Sequence, residues 1–177
     1  MIGWKLMRKY SNGVYGPLYV GTDDRWRIGD KVFAKEGDKA EDGVHVKSKL
    51  GDLAYRPGLH LNYDAPHVEH IYSMHNGVKY MKDGCVWVEV EYSSNINYQN
   101  EARENGWLNG RWAPKRAQLD HVPTDGYYKY KTSSNMRGWW VICGWMKLIR
   151  EVPWDEVDRL CREKGLVPLP VYRKEVA

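Results

Sequence analysis

Residues 85–92 read CVWVEVEY, and this alternation constrains the chain more than any other stretch. As an extended strand it puts Val86, Val88 and Val90 on one face and Trp87, Glu89 and Glu91 on the other. Valine and tryptophan also fit a pleated surface well. The outward carboxylates of Glu89 and Glu91 have the spacing of an acid/base pair, but also that of a plain solvated sheet face.

Other segments repeat the period of two. Residues 127–132, YYKYKT, alternate Tyr128 and Tyr130 against Lys129 and Lys131, so one face is aromatic and the other cationic. Residues 139–149, WWVICGWMKLI, form a strongly apolar run in which Gly144 marks a bulge or bend. Short strands are expected at Trp4–Met7, Leu18–Val20 and Lys31–Ala34, with Ser11-Asn12-Gly13 as a hairpin signal. Val44 to Lys49 alternates again. Residues 35–42 carry charge without an apolar face and read as a solvated loop.

Two helices are expected. Asp64 as N-cap, Pro66 in the first turn, and Val68, Ile71 and Tyr72 at helical spacing predict one over 65–73. Pro153, the acidic Asp155 and Glu156, the stripe of Trp154, Val157, Leu160 and Cys161, and the terminating Gly165 predict another over 153–164. Residues 95–118 are polar and punctuated by Gly106, Gly110 and Pro114. They read as an excursion from the core with room for a short helix from Tyr98 to Glu104. The expected fold is α+β: a predominantly antiparallel sheet with two short helices, one domain over 1–166 and an extended tail over 167–177.

Composition narrows the function. Nine Trp and thirteen Tyr against one Phe suit both a β-rich core and an interface, since such rings carry polar edges that seek partners. The net charge of +4 permits a polyanionic partner. Cys85, Cys143 and Cys161 are scattered without a CxxC pair, which disfavours a disulfide framework or structural zinc and suits a reducing compartment. With no signal-peptide or membrane-span pattern either, a cytoplasmic location is expected. No GxSxG, P-loop, GxGxxG or HExxH is present, so no catalytic residue and no cofactor is expected.

Two constellations remain. His60, His67, His70 and His75 crowd into residues 55–75, yet only the HxxH of His67 and His70 has ligand-like spacing, so no metal is expected. Arg111, Trp112, Lys115 and Arg116 interleave cations with a ring, and Lys129, Lys131, Arg137, Trp139 and Trp140 do so again. Cations meet phosphates and rings stack on bases, so these residues make a nucleic-acid or nucleoprotein surface. Basic side chains lying over apolar surface would read the same way.

With YRPGLH at 55–60, Pro66-His67 and YYKYKTSSN at 127–135 in place, the stretch from about Leu50 to Pro170 resembles small proteins and embedded domains carried by phages and mobile elements of gut bacteria. The resemblance implies an anti-CRISPR inhibitor of type II systems, which binds the host nuclease Cas9 and blocks its engagement of target DNA without catalysis. Many such inhibitors are acidic DNA mimics. This chain is basic, so contact with the RNA or DNA of the complex is the expectation. A second resemblance, through Leu18-Tyr19-Val20-Gly21-Thr22 and Gly58-Leu59-His60-Leu61, is to ADP-ribosyltransferase-like split sheets. It implies an NAD-using site at His60 with Tyr63, Tyr128 and Glu89 or Glu91, although the position near Val20 lacks the histidine or arginine of that fold. A structural or accessory phage protein is a third reading.

Overall fold

The computed structural model describes residues 1–37, 41, 45–51, 53–108, 117–131 and 136–174. Alternation in the sequence becomes strands β1 (Ile2–Lys9), β2 (Val14–Gly16), β3 (Trp26–Arg27), β4 (Lys31–Phe33), β5 (His45–Val46), β6 (Leu53–Ala54), β7 (Leu59–Asn62), β8 (Tyr72–His75), β9 (Val78–Met81), β10 (Cys85–Tyr92) and β11 (Ile96–Asn97). Helix α1 (Gln99–Leu108) follows, then β12 (Gly126–Tyr130), β13 (Trp140–Cys143), β14 (Trp145–Glu151) and α2 (Trp154–Glu163). The main sheet runs β11-β12-β13-β7-β1-β10-β14-β4, with β2 and β3 attached beside β1. Every pairing in it is antiparallel except β11 with β12. The fold is therefore α+β, mostly antiparallel sheet with two helices among the described residues.

The sheet curls on itself. Strands β13 and β14 are consecutive in the chain, joined through Gly144, yet β7, β1 and β10 lie between them in the sheet. Gly144 is thus the corner at which one apolar run passes from one flank of the curl to the other. Its amide donates to Gly126 O at 3.1 Å and to Ser93 Oγ at 3.0 Å, while its carbonyl accepts from Ala34 N at 2.8 Å. A Cβ here would collide with the Pro123 carbonyl, so only glycine fits the corner.

Period two sorts the apolar residues into layers. Met7, Leu61, Val86, Val88, Val90, Tyr92, Val141, Cys143, Met146 and Leu148 fill the inside of the curl. Leu6, Cys85 and Trp87 face outward beneath α2, which buries Val157 and Cys161 against them. Tyr128, Tyr130 and Ile142 face outward on the other flank, beneath Ala102 of α1 and the segment at Ala117 and Leu119. Each fully buried large side chain contributes about 1.5–3 kcal/mol.

The second helix forms at its expected place. The first does not: residues 65–71 are irregular and 72–75 are strand β8. Asp64 is not a helix cap, because its carboxylate accepts the Trp139 amide at 2.8 Å, and the Asn62 side chain takes the His67 carbonyl at 2.7 Å. Asn76 and Gly77, both at positive φ, then make the turn between β8 and β9. The helix within 95–118 runs Gln99–Leu108 and packs into the core through Ala102 rather than standing off it. Leu18–Val20 forms bends rather than a strand, whereas Asn12, in the left-handed region at φ 62°, turns the chain from β1 into β2 as the hairpin signal implies. The tail crosses as a strap, with Leu169 against the core beneath α2 and Pro170 O accepting from Met81 N at 2.8 Å.

Candidate nucleic-acid interface

Strand β12 carries the cationic half of the expected surface. Because Tyr128 and Tyr130 turn into the core beneath α1, Lys129 must point the other way, and Lys131 follows it on the same side. The Lys129 ammonium sits 4.3 Å from the centre of the Tyr63 ring and 5.6 Å from that of Trp139. The Lys131 ammonium sits 4.7 Å from the Trp139 ring and donates to Met136 O at 3.2 Å. Each such contact is worth about 0.5–2 kcal/mol and holds the charge in place without cancelling it.

The rings are themselves positioned. Trp139 is fixed by its amide on Asp64, and Tyr63 extends the inward side of β7 after Leu59 and Leu61. The backbone of β12 is anchored by Gln99, whose side chain accepts from Lys129 N at 2.8 Å and donates to Lys129 O at 2.9 Å. The amide of Gln99 is in turn capped by Asn97 Oδ1 at 2.9 Å.

Of the residues expected in the surface, Lys129, Lys131 and Trp139 are therefore brought together. Arg137 lies two residues from Trp139 but reaches toward Glu69 at 4.0 Å, an exposed pair worth little. Trp140 faces the opposite way, against the two outer core layers. Arg111, Trp112, Lys115 and Arg116 lie outside the described residues. Tyr63, expected only for the transferase reading, is the ring beneath Lys129; the alternation Leu59, Leu61, Tyr63 was its signal in the sequence.

The histidines separate. His60 Nε2 bonds Arg56 O at 3.0 Å and its ring meets Tyr130 edge-on; burial first of all pushes its pKa down to about 4, with the Lys5 and Arg56 charges adding to that. His67 bonds Val167 O at 3.2 Å, and burial lowers its pKa too. His70 meets Trp140 edge-on, while His75 stacks on Tyr172 at 3.7 Å and contacts Asp83 at 3.1 Å. Among the described residues, no group of three or more His, Cys, Asp or Glu is placed to hold a metal ion.

The transferase constellation is not assembled either. His60 and Tyr63 lie on opposite sides of β7, Tyr128 is fully buried, and Glu89 is bound by Arg150 at 2.6 Å, which also holds Glu156 at 2.6 Å. Lys5 is a further buried cation. Its ammonium donates to His60 O at 2.8 Å where β1 and β7 share a single paired position, and burial pushes its pKa down to about 8. The described cysteines are free and buried. No described helix is long and apolar enough to cross a membrane.

These features define a curled α+β sheet with an ordered cation-and-ring surface beside β12. Comparison with protein-family models, with curated proteins and with solved structures finds no match.

Proposed function

We propose that the protein is a non-catalytic binding module for a nucleoprotein, acting in the cytoplasm, with a Cas9-type nuclease and its RNA as the partner that the sequence resemblance implies. The observation that carries this reading is the pair of ammonium groups of Lys129 on β12 and Lys131 just beyond it, both raised over aromatic rings and neither ion-paired among the described residues. Phosphate is the natural counter-charge for such a pair, and the ring edges of Tyr63 and Trp139 offer flanking contact to sugar or base. The surface reads charge and shape rather than sequence. As an inhibitor it would occupy the path of target DNA.

The test uses the full chain, a fluorescein-labelled single-stranded RNA, and guide-loaded Cas9. Lys129→Glu with Lys131→Glu is expected to weaken binding by about tenfold or more and to flatten the dependence of affinity on salt. Unchanged affinity with an unchanged salt slope would overturn the surface assignment. RNA binding without any effect on target cleavage would remove Cas9 as partner and leave the polyanion-binding module standing.

A further inference from the structure

The outward face of the sheet has a third sector that neither helix covers. It consists of the outer sides of β14 and β4, where Trp145 and Lys147 pair with Phe33 and Lys31. Phe33, the only phenylalanine in the chain, is 61% exposed, while its neighbour Val32 packs inward. Beyond β4 the sheet path ends.

In an antiparallel ladder, alternate residues bond to a given neighbour. Ala34 N donates to Gly144 O at 2.8 Å and Asp30 O accepts from Leu148 N at 3.0 Å, so the even-numbered residues serve β14. The N–H and C=O groups of Lys31 and Phe33 therefore point away from the sheet. Among the described residues nothing bonds them.

The side chains give this edge a pattern. Lys31, Phe33 and Lys35 alternate along one face as cation, ring, cation, and Trp145 and Lys147 form a second row behind them. Lys31 lies directly opposite Lys147, a like-charge pair that normally destabilises a sheet. Its ammonium rests 3.9 Å from the Trp145 ring and 5.4 Å from that of Phe33. Among the described residues Lys35 has only a 4.0 Å approach to Asp24, and its side chain is 81% exposed. Behind the edge, Glu91 pairs across from Lys147, and Asp125 accepts the Trp145 indole at 3.3 Å. The lysines thus put positive charge on the outward face of the edge, with the exposed Asp30 and Glu36 next to them in the chain.

We propose that the edge of β4 takes an added strand from a protein partner, an extended segment whose side chains on one face run acidic, apolar, acidic at every second position. Its backbone continues the ladder from Lys31 and Phe33, its apolar side chains cover Phe33 and Trp145, and its carboxylates meet Lys31 and Lys35. A three-residue edge bearing lysines is otherwise a blunted one. The exposed ring in its middle is what blunting does not require. A second copy of this chain is a poor occupant, since edge-to-edge pairing of β4 would set Lys31 and Lys35 against lysines. The inference concerns β4 and does not rest on the function proposed for β12.

The test is fluorescence anisotropy of the full chain with the labelled peptide Thr-Glu-Thr-Val-Thr-Glu-Thr, which sets its glutamates and valine on one face, against Thr-Thr-Glu-Val-Glu-Thr-Thr, a peptide of the same composition that sets them on opposite faces. The one-face peptide is expected to bind saturably below about 1 mM and about tenfold more tightly than the opposite-face peptide. Phe33→Asp and Lys31→Glu are each expected to weaken that binding about fivefold or more, with circular dichroism and thermal midpoint unchanged as evidence that both variants fold. Amide exchange at Lys31 and Phe33 should slow on binding while that at Val32 stays as it was. Equal affinity for the two peptides, or no binding up to about 1 mM, overturns the proposal. So does sedimentation of the free protein as a dimer that Phe33→Asp dissociates, which would assign the edge to a second copy.

Discussion

At one end of the sheet, the backbone of β12 is satisfied group by group: β11 runs parallel beside Gly126 and Tyr127, and the Gln99 side chain supplies the donor and acceptor that a neighbouring strand would give Lys129. At the other end, β4 stops after three residues, with its outward groups unbonded among the described residues and an exposed ring between two lysines. The closed end has α1 packed over Tyr128 and Tyr130. Among the described residues, the open end has no helix over it. An edge that is paired and covered adds to stability, whereas an edge left open adds little and remains available to a partner.

The largest expected effect lies at the closed end. Tyr128→Ala should cost about 3–5 kcal/mol of unfolding free energy in urea titration, because the fully buried ring leaves a cavity and strips its neighbours of contacts. A cost below about 1 kcal/mol would mean that α1 does not seal that edge.

Next comes pH. The His60 imidazole, packed edge-on against Tyr130, stays neutral in the fold down to about pH 4, while the unfolded chain takes up a proton near 6.5. Between those values the unfolded state binds more protons, so stability falls as pH falls, by up to about 3 kcal/mol. His60→Gln should remove that part of the slope, measured as unfolding free energy against pH. An unaltered slope would place the titrating group elsewhere.

Gln99→Ala should cost about 1–3 kcal/mol, since it exposes one unmatched donor and one unmatched acceptor of Lys129. Hydrogen exchange at the Lys129 amide should accelerate in that variant, and exchange at β4 should not. The smallest effect belongs to the open end: Phe33→Ser should shift stability by less than about 0.5 kcal/mol. A loss several times larger would show that Phe33 is a folding residue, and the contrast between the edges would fail.

Much of the contrast was legible in the sequence. The alternation of 85–92 became β10 with the expected limits, and that of 127–132 divided the tyrosines from the lysines of β12 as read. The segment 65–73 was misread as helical because its caps and spacing are local signals, and distant partners overruled them: Trp139 took Asp64, and Asn76-Gly77 committed the following residues to a hairpin. Asn-Gly is the stronger signal, since few other pairs accept two positive φ values in succession. The clustering of four histidines carried no information about ligation, because β7, the loop after it and β8 point them at different neighbours. Of the interface, the cations and Trp139 were visible. Its second ring, Tyr63, depended on β7 lying one strand away from β12 across β13, which no local pattern reveals.

The corner at Gly144 has a consequence for how the molecule opens. Strand β13 holds the flank that pairs with β7 and β12, and β14 holds the flank that pairs with β10 and β4, with one residue of slack between them. Separating either flank tugs on the other through that single peptide link. Fluctuations large enough to free the backbone of one flank therefore free both, and slow exchange across β7, β10, β13 and β14 should share one opening free energy.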